Sequence, residues 1–476
     1  MPVCHVVLAL SAGACDQGGP REVRLSQAPA PLLRLPPRVA VWRVAWPMVL
    51  LGWVRALYLI ADTWWVGHLG TAELTALGVA SFGWWILDQL SELAGTGVHS
   101  LSARREGEGR RDAVGEVLAH GALVALVLWG VAIAGGQVLV PHYLDAMGVI
   151  DPVVRHHTTS FLTAATLAWV GLFAQGIVSA VFRGLGHSRA ALTIAALGFV
   201  VNAALDPVLI WGRFGVPGMG VAGAAWATGI AAFLSACVGL VVLAKDGIVP
   251  RMPSVDRATL ADIVKIGAPI SMTGIAFSGV YVVLGSLIVR FGETNMGALG
   301  LGHRLESFVY LASTGFAVAA ATLVGQNLGA KDAEGARRSV EITARNCTVF
   351  MVVGGLIAFV FADTLVASFT PDPVVRAAAA VYLRVQATIW VGMGFEMVYE
   401  GAFAGAGYTT PPMWIIGVLT AARVPLAWAL AVGLDMGVVG VWVAVALSTL
   451  AKGLLLRFWW ARGTWATRAG LPVPTG

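Results

Sequence analysis

The chain has 476 residues, of which 58% are hydrophobic and only 12% are charged, with a formal net charge of +5. A soluble chain carries roughly twice that share of charge, so the composition argues against a soluble globular protein. The four cysteines are far apart and form no CxxC or Cys/His cluster, which argues against a metal site and a disulfide framework. The basic residues form no compact face with interleaved aromatic residues, so we expect no nucleic acid partner.

The first segment of the chain contains no membrane-length apolar stretch. Val6–Ala14 is apolar and ends at Cys15, but no basic segment precedes it, so it makes a poor signal peptide. Pro29 to Pro37 is typical of a flexible connection. We therefore expect residues 1–40 to be a disordered or misassigned lead-in.

Twelve long apolar stretches follow, and about 20 residues are enough for a helix to cross a membrane. They are too uniformly apolar for the strands of a membrane barrel, which alternate in polarity. The sequence therefore predicts an all-α integral membrane protein with twelve transmembrane helices. The predicted spans are 43–67, 75–101, 114–140, 158–182, 190–211, 219–243, 264–290, 297–326, 343–368, 377–403, 411–433 and 437–460.

The second half of the chain repeats the first at an offset of 222 residues. Pro47 returns as Pro269, and after a slight drift Gly184-Leu185-Gly186 returns as Gly405-Ala406-Gly407. Such a repeat predicts two similar six-helix lobes, which in membrane proteins usually frame a transport site. We divide the chain into an N-lobe (41–245), an inter-lobe cytoplasmic linker (246–260), a C-lobe (261–462) and a C-terminal tail (463–476).

Basic residues collect in the loops on one side of the predicted membrane. If both termini are cytoplasmic, the opposite loops hold few of them, such as Arg155, Arg213, Arg290 and Arg376. This asymmetry follows the positive-inside rule. We therefore predict a multi-pass protein of the bacterial cytoplasmic membrane, with both termini in the cytoplasm and membrane lipids as partners.

Polar residues within the spans of the N-lobe are the first candidates for a functional site, because an ionisable side chain in the bilayer costs several kcal/mol unless it is solvated or paired. The first span holds Asp62, and the fifth holds Asn202 and Asp206, one turn apart and followed by Pro207. Proline frees a backbone carbonyl, and carboxylate, amide and carbonyl oxygens together suit a small cation. An interfacial position for Asp62, near Gly67, and a structural role for the other two remain alternatives.

Further ionisable residues lie in other spans and form a second set of candidates. Asp88, Glu92 and Glu306 are also compatible with buried pairs that neutralise arginines, and the two tenth-span acids with a helix end near the cytoplasm. The repeat does not carry the acids over, since Asp62 corresponds to Leu284 and Asp206 falls near Pro425 or Ala427. The second set is Arg55, Asp88, Glu92, Glu306, Glu396, Glu400 and Arg423.

Several motifs resemble those of the multidrug and toxin extrusion (MATE) family. Phe182–Ser188 resembles its fRGlGdt loop, 202–228 its N…DPxLI…GvaGaAxAT stretch, 323–330 its lvGQnlGA motif, and Asp62-Thr63 the DtxxvG end of the first helix. The resemblance covers residues 43–462 and is closer to the DinF-like than to the NorM-like branch. The NorM-like branch has an acid in the seventh helix, whereas 275–281 contains none.

The resemblance implies a fold and an activity. The fold is two six-helix lobes in a V, and the activity is export of organic, often cationic and aromatic, drugs or toxins in exchange for H⁺ or Na⁺ by alternating access. It implies no enzymatic reaction, no cofactor and a monomer. Its cation site maps to Asp62, Asn202, Asp206 and Thr228, where any Na⁺ would bind.

Two other functions are alternatives to this one. A flippase for a lipid-linked saccharide, from related exporter families, would have a more cationic cavity than Arg55, Arg304 and Arg423 provide. A membrane enzyme would require a clustered His/Asp or Ser/His constellation, and the sequence shows none.

Overall fold

The computed structural model describes residues 30–252, 254–292 and 294–474, except for the side chains of Leu59, Ile60, Asp62, Phe82 and Gln137. Most of the predicted lead-in, residues 1–29, lies outside the described residues. The remainder differs from our expectation of disorder, because Leu32 is 4% exposed and packs into the core of the C-lobe. Burial of an apolar side chain stabilises an ordered position for this part of the chain.

The described residues form long helices. The N-lobe contains α1 (Pro37–Gly67), α2 (Thr71–Gly107), α3 (Val114–Ala146), α4 (Pro152–Gly184), α5 (Ser188–Trp211) and α6 (Val221–Lys245). The C-lobe contains α7 (Arg257–Val289), α8 (Thr294–Gly329), α9 (Ala333–Val360), α10 (Ala362–Ala367), α11 (Pro373–Ala387), α12 (Trp390–Gly405), α13 (Thr410–Trp428) and α14 (Gly437–Ala461), and the short α15 (Thr464–Arg468) follows.

Ten of the described helices are long and apolar enough to cross a membrane, and α11 with α12 forms an eleventh span bent by 55°. Helix α2 is not among them although it is 37 residues long, and it carries Asp88 and Glu92. With α2 as the twelfth element, the arrangement is the predicted one of twelve helices in two lobes.

Two predicted spans are interrupted rather than continuous. The span 343–368 breaks at Phe361, between α9 and α10, and the span 377–403 breaks between α11 and α12. At the second break the Thr388 hydroxyl donates to the carbonyl of Val385 at 2.7 Å. Such a bond competes with the helical ladder and commonly bends a helix.

The same local chemistry starts and ends equivalent helices in the two lobes. Asp151 accepts a hydrogen bond from the Val153 backbone N–H at 2.7 Å, and Asp372 accepts one from Val374 at 2.8 Å. An aspartate that accepts such bonds, followed by proline at the first helical position, is a strong helix start. At the opposite ends of the two spans, Gly186 and Gly407 have φ of 78° and 68°, which favours glycine.

The two lobes contact each other along α1, α2, α7 and α8. Helix α1 packs along α8, α2 along α7, and α2 and α8 meet each other. A Cβ atom on Gly107 would overlap the Gln326 carbonyl oxygen, and one on Gly329 would overlap that of Arg104. Both pairs of positions are 222 residues apart, so the contact is pseudo-symmetric and depends on glycine. We call this contact, at the C-terminal ends of α2 and α8, the closed end.

Outside the inter-lobe contact, large apolar side chains cover the molecule. On α9, for example, Val352, Leu356 and Val360 are between 51% and 63% exposed. A continuous apolar face of this kind is unfavourable in water and favourable against lipid tails. The exposed faces therefore agree with a membrane protein.

Candidate functional site

The predicted pair in the N-lobe is buried and hydrogen-bonded. Asn202 and Asp206 are both 0% exposed, and the Asn202 side-chain amide donates to a carboxylate oxygen of Asp206 at 3.0 Å. They lie one turn apart because α5 continues as a helix through Pro207. The arrangement presents carboxylate and amide oxygens in the interior of the lobe, which is the chemistry that a small hard cation requires.

Thr228 lies on α6, which runs antiparallel to α5. A Cβ atom on Gly223 would meet the Leu209 carbonyl at 2.5 Å, and one on Gly198 would meet the Ser235 hydroxyl at 3.2 Å. These two contacts bracket Thr228, so it lies at the level of Asn202 and Asp206. Its own hydroxyl donates to the Ala224 carbonyl at 2.9 Å, and the side chain is 2% exposed.

The side chain of Asp62 lies outside the described part of the structure, but the course of α1 is described. The Tyr58 and Phe199 rings are 5.8 Å apart, and the Trp65 and Trp211 rings are 5.1 Å apart. These aromatic contacts join α1 to α5 on either side of position 62. The helix position of Asp62 is therefore level with the Asn202–Asp206 pair.

The sequence analysis missed a further polar pair in the N-lobe. The Gln175 amide on α4 donates to the Ser235 hydroxyl on α6 at 2.7 Å. Gly198, one turn before Asn202, is packed against both side chains. A glutamine in an apolar span was the available signal, but we considered mainly the ionisable residues.

The candidates on α1 and α2 are only partly buried. An Arg55 nitrogen lies 3.9 Å from a Glu92 carboxylate oxygen, and the two side chains are 55% and 31% exposed. Asp88 interacts electrostatically with both. Our alternative of a fully buried neutralising pair does not hold for Arg55, because over half of its side chain is accessible.

The C-lobe candidates form a different kind of site. The Lys452 ammonium on α14 lies 2.6 Å from a Glu396 carboxylate oxygen on α12, and both side chains are buried. Glu396 is therefore not a residue that caps or solvates a helix end, since it lies nine positions before Gly405, where α12 ends. Glu400 follows one turn later. Lys452 escaped the sequence analysis, although a lysine within an apolar span is the signal that singled out the acids.

Two other C-lobe candidates have neutral partners. Arg423 is 1% exposed and donates to the hydroxyls of Ser448 at 2.9 Å, Tyr281 at 3.1 Å and Thr449 at 3.1 Å. Glu306 accepts a hydrogen bond from the Tyr382 hydroxyl at 2.9 Å. Hydroxyl donors and acceptors reduce the cost of burying both charges.

At the closed end, α8 holds the loop that follows α4. The Thr322 hydroxyl lies 2.9 Å from His99 Nε2 and 2.9 Å from the Arg183 carbonyl oxygen. The Gln326 amide donates to the Gly184 carbonyl at 2.8 Å, also between the lobes. Our sequence analysis singled out the loop but not its partners, which lie at least 139 residues away along the chain.

Comparison with known proteins agrees with this architecture. The sequence profile of the family MatE matches residues 47–208 and 269–429, the two copies of the repeat. The chain is similar to a probable multidrug resistance protein NorM of Thermotoga maritima, with 25% identity over 88% of this chain and 91% of that protein. It is also similar to one of Rhodopseudomonas palustris, with 26% identity over 88% and 92%.

The fold is similar to solved structures as well. A MOP superfamily transporter from Pyrococcus furiosus superposes with a TM-score of 0.84 and 21% identity over 95% of this chain and 99% of that chain. A multidrug resistance MATE family transporter described as outward-facing gives a TM-score of 0.83 over the same shares.

Proposed function

Because this chain belongs to the MatE family of multidrug and toxin extrusion antiporters, we propose that Asp206 and Asn202, with Asp62 and Thr228, bind its coupling ion. The family consists of ion-coupled membrane transporters rather than enzymes. The protein is accordingly an integral membrane antiporter for drugs or toxins. The relatives named as multidrug resistance proteins do not favour the lipid-linked saccharide flippase.

The observation that carries the proposal is the buried Asn202–Asp206 hydrogen bond within an apolar lobe. Burial disfavours a bare carboxylate, so a proton or Na⁺ at Asp206 stabilises the site. An ion with different affinities for the two access states shifts the equilibrium between them. Exchange of that ion for an organic substrate then drives export.

The finer parts of the proposal rest on sequence features. We propose the DinF-like rather than the NorM-like branch because 275–281 contains no acid, although the curated relatives above carry the name NorM. We propose cytoplasmic termini and a cytoplasmic closed end because basic residues, including Arg104 and Arg105, collect there. The coupling ion is H⁺ or Na⁺, and the protein is proposed to act as a monomer.

The test is the substitution Asp206→Asn, assayed in proteoliposomes with pH and Na⁺ gradients imposed separately. We expect the variant to insert normally and to lose gradient-driven efflux of a fluorescent organic cation, because an amide takes up neither ion as a carboxylate does. The matched control is Asp112→Asn, an exposed loop acid. Wild-type efflux in Asp206→Asn would contradict the site assignment, and the gradient that drives wild-type efflux identifies the ion.

A further inference from the structure

Equivalent inter-helix contacts give the local offset of the repeat near the polar clusters. A Cβ atom on Gly171 would meet the Phe233 backbone, and one on Gly392 would meet that of Leu450. Likewise, Gly223 approaches Ile210 as Gly440 approaches Ala431. Helices α4 and α5 therefore correspond to α12 and α13 at an offset of 221, and α6 corresponds to α14 at 217.

With these offsets, the polar pairs of the two lobes correspond one to one. The Gln175–Ser235 hydrogen bond of the N-lobe, at 2.7 Å, corresponds to the Glu396–Lys452 ion pair of the C-lobe, at 2.6 Å. One lobe has two neutral side chains at these positions, and the other has an acid and a base.

The residues of the N-lobe ion site also have counterparts. Asn202 corresponds to Arg423 and Asp206 to Ala427. Where the N-lobe has an amide and a carboxylate, the C-lobe therefore has a guanidinium and a methyl group. Arg423 is held by Ser448 and Thr449, which lie one turn before Lys452 on α14.

The charges near Lys452 balance within the C-lobe itself. Glu396, Glu400 and Arg423 all interact electrostatically with the Lys452 ammonium. These groups comprise two acids and two bases. A buried carboxylate needs a proton, a metal cation or a fixed cationic group, and here fixed groups are present. The Gly392–Gly453 approach of α12 and α14 brings the ammonium within reach of Glu396.

We propose that Lys452 and Arg423 are tethered counter-ions that take the place of an exchangeable cation in the C-lobe, so that the ion exchanged during transport binds in the N-lobe alone. The inference rests on the proposed N-lobe site. It assigns Lys452 as the residue that decides how many ions the protein binds, through its contact with Glu396.

The experiment compares ion binding by purified full-length variants, using ²²Na⁺ and proton uptake as the two probes. Lys452→Gln removes the charge and retains a hydrogen-bond donor, as in the N-lobe pair. We expect it to bind roughly one more ion per protein than the wild type, because Glu396 then lacks its counter-charge. Lys452→Met is the second variant, should the first fail to insert.

The matched control is the double variant Glu396→Gln/Lys452→Gln, which we expect to show no additional ion. Wild-type ion binding in both Lys452 variants, or an additional ion in the double variant, would overturn the proposal. The Asp206→Asn background separates it from the N-lobe assignment. If Asp206→Asn alone still binds the wild-type number of ions, the N-lobe site is wrong. If it binds none and Asp206→Asn/Lys452→Gln binds one, the tethered counter-ion is supported.

Discussion

At the residue scale, the C-lobe differs from the N-lobe in how it holds its buried charge. The Asn202–Asp206 pair sits in a lobe whose corresponding polar pair, Gln175 and Ser235, is neutral. In the C-lobe, Arg423 donates to three hydroxyls on two helices besides its own. A planar guanidinium supplies several fixed donors, whereas an ammonium supplies a single point of charge.

This geometry predicts that Arg423→Lys destabilises the C-lobe. The shorter reach and different shape of lysine leave about two of the three hydroxyls without their donor, and interhelical hydrogen bonds in membranes contribute about 0.6 kcal/mol each. We expect a loss of about 1 kcal/mol, measured as a lower thermal midpoint in detergent. The control is Arg304→Lys, at an exposed position on α8. Equal midpoints for the two variants would show that the hydroxyl contacts of Arg423 do not stabilise the lobe.

At the element scale, glycine determines how closely helices of opposite lobes approach. Gly107 and Gly329 contact backbone carbonyls of the partner helix, where any side chain would overlap. Gly78, on the same helix as Gly107, faces open space, and a methyl group there would meet no other atom within 4 Å. The sequence repeat marks Gly107 and Gly329 as equivalent, but only the packing gives the reason for glycine.

We therefore expect Gly107→Ala to impair transport while Gly78→Ala does not. Overpacking costs about 1–3 kcal/mol, and about 1.4 kcal/mol corresponds to a tenfold change in an equilibrium. Initial efflux rates in proteoliposomes should fall roughly tenfold for Gly107→Ala if closure of this end limits the cycle. Similar rates for the two variants would show that the α2–α8 contact tolerates a methyl group.

At the scale of the whole molecule, the closed end is a set of pseudo-symmetric contacts between the lobes. The Thr322 hydroxyl reaches the Arg183 carbonyl, and Ser100, 222 residues earlier, donates to the Gly405 carbonyl at 3.4 Å. Each lobe thus binds the loop that follows the fourth span of the other. Opening this end requires both contacts to break, so they bias the equilibrium between access states.

Thr322→Val should shift that equilibrium toward opening of the closed end. Loss of one interhelical hydrogen bond, about 0.6 kcal/mol, changes the ratio of the states about threefold. The measurement is the alkylation rate of a cysteine at buried Ser100, in a background without the four native cysteines. The control is Thr348→Val, whose hydroxyl bonds within its own helix. An unchanged alkylation rate in Thr322→Val would contradict a role for this contact.

The amino-acid sequence by itself determined the membrane class, the two-lobe repeat and the position of most helices, because length, apolar composition and turn residues are local properties. It also singled out Asn202 and Asp206, which lie four residues apart on one helix. The breaks near Phe361 and Thr388 were missed, since apolar residues continue across both of them.

Only the tertiary structure decided which polar groups meet. Lys452 and Glu396 are 56 residues apart, and Thr322 and Arg183 are 139 apart. In a membrane both the lipid-facing and the core-facing sides of a helix are apolar, so periodicity does not reveal which face meets which neighbour. That choice depends on close helix packing, much of it at glycines, and it separates an ion site in one lobe from a fixed ion pair in the other.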